Sequence, residues 1–265
     1  MKKFTKICED IDKNKKELEF LKTGISLLDN YIDGGFLRKE LVVLGGQSGS
    51  GKSYVAGSIF KNIAFQGFNS AYFSLEISSD MVVSRLIGSE TNIKPINIMI
   101  GNISPQDKDI CMEVEAGLSA NDGFMSFYDD IYELEKIKEE IKINSYEFVV
   151  IDFIQNIIAK GEEEYSRLSY IALELQKTAK ELNCCILVLS QLSNSMAREK
   201  HDSVFLEYKG SGSIATVCDL GTMITRGEIL ANGDNQLFIN IRKNRRGMSG
   251  QAIMCTFSNP GGRIT

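Results

Sequence analysis

The sequence predicts an α/β fold in which a mostly parallel, twisted sheet is flanked by helices. Short apolar runs alternate along the chain with longer segments of helical periodicity. Most of these runs are almost continuously apolar, which is typical of strands that helices cover on both faces. The chain has 265 residues, only 3 prolines and no Gly/Ser-rich linker. One large core is therefore expected rather than two full domains.

The predicted strands are apolar runs, and the predicted helices are the amphipathic segments between them. The strands are Leu41–Leu44, Ala71–Leu75, Phe124–Phe127, Phe148–Ile151, Ile186–Leu189, Leu220–Ile224, Leu237–Ile241 and Ala252–Phe257. The helices are Ser53–Phe65, Met81–Glu90, Ser104–Ala120, Leu134–Ile143 and Tyr165–Leu182. A basic turn with a glycine joins the last two strands, which predicts an antiparallel hairpin added at the C-terminal edge of the sheet.

Residues 1–22 are predicted to form a linker or docking arm in front of a single domain of residues 23–265. The arm is highly charged, and part of its sparse apolar spacing is helical. Two interpretations remain open: the helix packs on its own domain, or it docks on a neighbouring subunit.

Composition limits the classes of function that the chain can serve. The net charge is −5, so nucleic acid would have to be held by a local basic patch rather than by the overall field. Six cysteines form no C-x-x-C pair, which favours a reducing compartment. No apolar run reaches membrane-spanning length. We expect a cytoplasmic protein without membrane contact.

The segment between the first strand and the first long helix matches a phosphate-binding loop, G-x-x-x-x-G-K-[ST]. Its residues are Gly46, Gln47, Ser48, Gly49, Ser50, Gly51, Lys52 and Ser53. Glycines let the backbone wrap a phosphate, and the following helix adds the positive end of its dipole. Lys52 is predicted to reach the β- and γ-phosphates of a nucleoside triphosphate, and the Ser53 hydroxyl to bind Mg²⁺.

Three polar residues follow three other strands at the edge where ligands bind in α/β sheets. Asp152 is predicted to hold Mg²⁺, the alternative being an ordinary turn residue. Glu76 is predicted to orient or deprotonate the attacking water, the alternative being a helix-capping acid before Met81. Gln191 can hydrogen-bond a γ-phosphate oxygen and a neighbouring loop, which suits a sensor of nucleotide state.

The hairpin "IRKNRRGMSG" concentrates positive charge, and no acidic residue follows Asp234. Lys243, Arg245 and Arg246 lie at its predicted tip. One interpretation is a solvated basic turn. The other is an arginine finger that reaches a nucleotide bound by another subunit and stabilises charge on its γ-phosphate.

With these residues in place, the order of motifs resembles the ATPase domain of DnaB-family replicative helicases, hexameric RecA-like P-loop motors that run on single-stranded DNA. The resemblance extends over nearly the whole chain, from "KTGISLLDNYIDGGF" to "CTFSNPGGRI". The phosphate loop alone is generic. The ordered set of "SLE", "VVIDFIQ", "LSQLS", "SGSI" and "KNRRG" is specific to this family.

The resemblance implies a helicase that uses ATP and Mg²⁺, with Glu76 as catalytic carboxylate, Asp152 on Mg²⁺ and Gln191 as sensor. Arg245 would be a finger acting in trans, with Lys243 beside it. A loop that lines a central channel would grip the DNA backbone through Lys209, Gly210, Ser211 and Gly212. The implied partners are single-stranded DNA, further copies of the chain in a ring or helical filament, and a helicase loader or primase.

The chain departs from the family pattern at several positions. The family usually has glutamate at Gly210, acids where Thr216–Cys218 stand, and glutamine at Asn244. Its N-terminal helical domain does not fit in front of Thr23, so we expect either an excised domain or a short form. Other classes stay open: a RecA-like recombinase or regulatory ATPase, a nucleotide-gated scaffold or loader, and, less well supported, a small-molecule kinase.

Overall fold

The computed structural model describes residues 4–6, 9, 19–120, 124–161, 163–191 and 212–265. Within these ranges the strands β1 to β9 are Leu41–Gly46, Ser70–Ser74, Met125–Tyr128, Phe148–Asp152, Cys185–Gln191, Leu220–Ile229, Asn235–Asn244, Ala252–Ser258 and Arg263–Ile264. The helices α1 to α8 are Ser26–Tyr31, Lys52–Ala64, Ser79–Thr91, Pro95–Met99, Pro105–Ser119, Leu134–Ile143, Glu164–Leu182 and Gly212–Val217. Every predicted strand and helix is present. The elements that the sequence missed are α1, α4, α8, β9 and a 3-10 turn at Ile154–Asn156, each at most six residues long, which is too short to show a period.

The described strands form one sheet in the order β3-β2-β4-β5-β1-β6-β7-β8-β9. The six strands from β3 to β6 in this order pair in parallel, and β7, β8 and β9 continue the sheet antiparallel. The prediction of a mostly parallel sheet with an antiparallel hairpin at its C-terminal edge is therefore confirmed. The antiparallel part is larger than predicted, because it already begins at the β6–β7 pair.

Helices cover both faces of the sheet, and β1 shows why its sequence is apolar at every position. Val42 and Leu44 belong to the apolar cluster that contains α2. Leu41 and Val43 belong to the cluster that contains α6 and α7. Successive side chains of a strand point to opposite faces, so a strand between two helix layers needs an apolar residue at each step. All five residues of β2 and β4 are likewise buried.

The start of the domain is held by Leu21, which is fully buried. Its N–H donates to the carbonyl of Phe36, and the N–H of Phe36 donates back to the carbonyl of Leu21, at 3.0 and 2.9 Å. Of the predicted arm, residues 4–6 and 9 are helical, while residues 1–3, 7–8 and 10–18 lie outside the described ranges. Where the arm docks, and the boundary at residue 22, stay predictions.

Candidate nucleotide-binding site

The phosphate loop lies between the end of β1 at Gly46 and the start of α2 at Lys52. Gly49 and Gly51 have φ of +73° and +101°, in the left-handed region that favours glycine. A Cβ at Gly46 would come within 2.6 Å of the Ser50 hydroxyl and 3.0 Å of the Ile224 carbonyl. The loop therefore requires its glycines for backbone shape and close packing, as the motif predicts.

Lys52 is turned onto its own loop. Its Nζ donates to the carbonyls of Gly46 at 2.9 Å and Gln47 at 2.8 Å. Burial lowers the pKa of Lys52, and the negative charges of Asp152 and Glu76 oppose this shift. A desolvated ammonium that faces two carboxylates is well placed to exchange the two carbonyls for phosphate oxygens.

Asp152 is the last residue of β4 and is 2% exposed, so it is not a solvated turn residue. The Tyr72 hydroxyl donates to its Oδ2 at 2.9 Å, and the Ser53 side chain hydrogen-bonds to the same carboxylate. Burial raises the pKa of Asp152, while these two hydrogen bonds act in the opposite direction. The structure thus joins the two predicted Mg²⁺ ligands, one from the helix and one from the strand.

The pairing of Ser53 and Asp152 fits Mg²⁺, which usually takes one or two protein oxygens and completes its shell with phosphates and water. Within the described ranges, no group of three or more His, Cys, Asp or Glu side chains is placed to hold a metal. A metal at this position would therefore depend on the phosphates of the bound nucleotide, as in other phosphate-loop sites.

Glu76 lies just beyond β2, and its side chain is exposed to the cleft. It does not cap the following helix, because the N-cap of α3 is Ser78, whose side chain accepts the N–H of Met81. The alternative of a capping acid is therefore wrong. A carboxylate that makes no such structural contact is available as a base for water.

Gln191 ends β5 beside the phosphate loop, since its backbone is in register with Gly46 in the parallel β1–β5 pair. The cleft between these strand ends has a volume of about 210 Å³. Its lining includes Ser48, Gly49, Gly51, Lys52, Ser53, Glu76 and Gln191. The structure thus brings the predicted loop, base and sensor to one cleft, and Asp152 is hydrogen-bonded to Ser53 in the lining of that cleft.

Two arginines in the cleft wall, Arg85 on α3 and Arg226 on β6, were missed by the sequence reasoning. The Arg85 guanidinium lies 4.8 Å from the ring centroid of Tyr54, and that of Arg226 lies 5.3 Å from the ring centroid of Phe257. The Nε of Arg85 is buried without a hydrogen-bond partner. Each arginine interrupts an apolar stretch, "MVVSRLIG" and "TMITRGEI", and that is the signal by which they could have been found. Both add positive charge to a cleft suited to polyphosphate.

The basic hairpin lies at the amino ends of the parallel strands, opposite the cleft. The N–H of Arg245 donates to the carbonyl of Asp219, and the N–H of Leu41 donates to the Asp219 carboxylate. Arg245 is thus level with the first residue of β1, whereas the phosphate loop follows the last. Five residues of strand at about 3.3 Å each separate these levels by roughly 16 Å. Arg245 therefore cannot serve the cleft of its own chain in this arrangement.

Three cations of the hairpin bind acceptors of their own chain. Lys243 Nζ donates to the carbonyls of Ala215 and Thr216, both at 2.7 Å, at the C-terminal end of α8. Arg245 forms a 2.7 Å ion pair with Asp219. Arg246 forms a 2.8 Å ion pair with Glu40 and donates to the carbonyl of Gly35. Burial lowers the pKa of Lys243.

Most of the predicted DNA-gripping loop lies outside the described residues, namely Lys209, Gly210 and Ser211. Gly212 is described as the first residue of α8. Its role in binding DNA stays a prediction.

Comparison with known proteins places these features in a family. A family model described as the DnaB-like helicase C terminal domain matches residues 21–262. The chain is 29% identical to replicative DNA helicase DnaB of Geobacillus stearothermophilus over 88% of this chain and 54% of that protein. It is 28% identical to replicative DNA helicase DnaC of Bacillus subtilis over 91% of this chain and 56% of that protein. The chain thus spans about half the length of these relatives.

Solved structures agree on the fold. A DnaB-like replicative helicase superposes with a TM-score of 0.82 at 20% identity, covering 98% of this chain and 65% of that one. A KaiC-like protein from Pyrococcus horikoshii superposes with a TM-score of 0.64 at 17% identity, covering 93% of this chain and 98% of that one. The predicted RecA-like fold is confirmed. None of the helices in the part of the chain that the structure describes is long and apolar enough to span a bilayer.

Proposed function

Because this chain belongs to the DnaB-like helicase C-terminal domain family, we propose that it is an ATP-dependent motor that translocates on single-stranded DNA and unwinds duplex during replication. The observation that carries this proposal is that the candidate catalytic groups lie at both ends of the parallel strands. The phosphate loop, Glu76 and Gln191 meet at one edge. The candidate finger Arg245 lies about 16 Å away at the other.

In the proposed reaction, water attacks the γ-phosphate of ATP and the bond to the β-phosphate breaks. The N–H groups of the loop and the ammonium of Lys52 bind the phosphates after Lys52 leaves the carbonyls of Gly46 and Gln47. Glu76 accepts a proton from the attacking water. Gln191 hydrogen-bonds the γ-phosphate and reports its loss through β5.

Ser53 and Asp152 would hold Mg²⁺ together with the phosphates. When bound, the metal would neutralise charge that develops on the β- and γ-oxygens. The Tyr72 hydroxyl donates to Asp152 and so fixes the carboxylate that must bind the ion. Burial raises the pKa of Asp152, so ionisation of this carboxyl, and with it metal binding, is expected to weaken as pH falls.

We propose that the chain works as a head-to-tail oligomer. Arg245 would enter the cleft of the next subunit, which requires it to leave Asp219 or to arrive with it. Contacts of this head-to-tail type close into rings or continue as helical filaments. A ring would place Lys209–Gly212 of each copy towards a central channel. The implied setting is the cytoplasm, with a loader or a primase as further partners, and the DnaB-like structural neighbour is described as interacting with primase.

The rate of ATP hydrolysis with and without single-stranded DNA tests this function directly. We expect strong stimulation by DNA, and a fall of about 100-fold or more in Glu76→Gln, because general-base catalysis contributes on the order of 10²–10⁴. The exposed position of Glu76 makes this a mild change for folding. Unwinding of a forked duplex by the same preparation would complete the evidence.

A second candidate is a regulatory ATPase that acts without unwinding, since the same fold occurs in a KaiC-like protein. It predicts hydrolysis that DNA does not change. That result, obtained with an assembled protein, would replace the motor proposal. If the protein binds ATP and assembles but hydrolyses no ATP with or without DNA, the scaffold or loader alternative is correct.

A further inference from the structure

Two adjacent amide side chains, Gln155 and Asn156, lie at the centre of the strand ends that form the cleft. They belong to a short 3-10 turn, Ile154–Asn156, that begins two residues after the end of β4. One of them contacts the strand on one flank of β4, and the other contacts the strand on the opposite flank. Neither residue lines the cleft, so neither is expected to touch nucleotide.

Gln155 takes the place of a missing strand neighbour for Gln191. Pairing between β4 and β5 ends at Ile151 and Val188, although β5 continues to Gln191. Beyond this point the Gln155 amide bonds to the backbone of Gln191. Its Oε1 accepts the Gln191 N–H at 3.3 Å, and its Nε2 donates to the Gln191 carbonyl at 3.1 Å. A side-chain amide carries the same donor and acceptor as a peptide group, so it bonds Gln191 as the backbone of a neighbouring strand would.

Asn156 acts on the other flank. The β2–β4 pair ends at Ser74 and Asp152, and the N–H of Leu75 donates to the carbonyl of Asp152 at 2.8 Å. Asn156 Nδ2 then donates to the carbonyl of Leu75 at 2.8 Å. Leu75 directly precedes Glu76. The turn after Asp152 therefore holds the backbone next to the base on one side and the backbone of the sensor on the other.

We propose that Gln155 and Asn156 are positioning residues that set the spacing of Gln191 and Glu76 around the γ-phosphate. Gln155 is the more informative of the two because it grips both backbone groups of the sensor itself. A change at Gln191 on loss of the γ-phosphate would then be passed to the turn behind Asp152. This inference rests on the proposed ATPase function and adds two residues to it.

The test replaces Gln155 by methionine, which has nearly the same shape but cannot make the hydrogen bonds. The matched control is Gln176→Met. Gln176 is buried, and Gln155 is half-buried. The Gln176 Nε2 donates to the carbonyl of Val217 between α7 and α8, away from the cleft. Both variants lose a glutamine amide that donates to a backbone carbonyl, so a purely structural effect should appear in both. Gln155→Glu is a second variant, which keeps the acceptor for the Gln191 N–H and loses the donor.

Three quantities are measured at a temperature well below each melting temperature: the kcat for ATP hydrolysis, its KM, and the ratio of the affinities for a non-hydrolysable ATP analogue and ADP. For Gln155→Met we expect kcat to fall at least 10-fold, KM to change less than about 3-fold, and preference for the analogue over ADP to be lost. Gln155→Glu should show the same pattern more weakly. Gln176→Met should lower the melting temperature and leave all three quantities within about 2-fold.

Wild-type kcat and analogue preference in folded Gln155→Met, or equal losses in Gln176→Met, would overturn this inference and leave the proposed function intact. If Gln155→Met does not fold, the same outcomes are judged on Gln155→Glu. Wild-type protein that binds the analogue without hydrolysing it would contradict the proposed reaction, while the affinity ratio would still decide the role of Gln155. Wild-type protein that binds no nucleotide would overturn both.

Discussion

The carboxyl ends and the amino ends of the parallel strands, here called the carboxyl edge and the amino edge, both carry charged side chains. The two edges differ in how completely these side chains are paired. At the carboxyl edge, Asp152 is a buried carboxylate with a raised pKa, and Arg85 has a buried Nε without a hydrogen-bond partner. At the amino edge, Lys243 and Arg245 are satisfied by carbonyls and by Asp219 within the same chain.

The carboxyl edge is therefore suited to bind a small ligand, and the amino edge is suited to bind a second subunit. Groups that are buried with poor partners cost free energy, and a bound polyphosphate with Mg²⁺ would relieve that cost. Groups that are already paired gain little from a small molecule. They gain only where a second subunit offers a stronger site, such as a γ-phosphate in a desolvated interface.

The largest effect is expected in a mixing experiment with Arg245→Ala. We expect this variant to lose about 10³-fold of the hydrolysis rate, the scale of an arginine finger, while it still binds ATP through its intact cleft. Lys52→Ala should also be inactive, because it keeps Arg245 but loses the lysine that binds the phosphates in its own cleft. Mixed oligomers contain interfaces where an intact cleft meets an intact Arg245, so the mixture should recover part of the rate.

Arg242→Ala is the matched control, because Arg242 is exposed on the same hairpin. Its rate should stay within about 2-fold of the wild-type rate. No recovery in mixed oligomers of confirmed assembly would mean that Arg245 acts within its own chain or not at all.

The neighbouring arginine, Arg246, is expected to stabilise the fold rather than to act on the nucleotide. It is 20% exposed, and its ion pair with Glu40 is 2.8 Å long. Arg246→Ala would leave Glu40 without its counter-charge, at an expected cost of about 3 kcal/mol in the free energy of unfolding. In a domain of this size that is roughly 6–12 °C in melting temperature, measured by calorimetry.

The loss of stability in Arg246→Ala is expected to depend on pH. Burial raises the pKa of Glu40 even with Arg246 present, and removal of Arg246 raises it further. A carboxyl with a raised folded-state pKa stabilises the fold when protonated and loses that contribution as pH rises. The deficit of Arg246→Ala should therefore be smaller at pH 5 than at pH 8. A deficit that is equal at both would contradict the role of the Glu40 charge.

The smallest expected effect is at Asp152. In the absence of nucleotide and Mg²⁺, burial of this carboxylate raises its pKa, so its charged form opposes folding above that pKa. Asp152→Asn should raise the melting temperature of the free protein by about 2 °C at pH 8, with less gain at pH 5. The variant should also lose the stabilisation that Mg²⁺ and ATP give to the wild type. A lower melting temperature of the free variant at pH 8 would show that the carboxylate is structural.

The amino-acid sequence by itself determined the elements, the fold class and the chemistry of the cleft. Apolar runs of strand length and amphipathic helices are local patterns, so each predicted element was found. The phosphate loop has a spacing that few other structures use. Asp152, Glu76 and Gln191 could be found because each follows an apolar run within two residues, and parallel strands end at one edge.

The tertiary structure alone decided which groups meet across the chain. Arg85 and Arg226 come to the cleft from a helix and a strand far apart in sequence. Arg245 is paired with Asp219 and Arg246 with Glu40, although the two arginines are adjacent. Gln155 reaches Gln191, 36 residues later, only because β4 and β5 are neighbours in the sheet. Such contacts depend on strand order and register, which result from packing of the whole core and leave no local signal in the sequence.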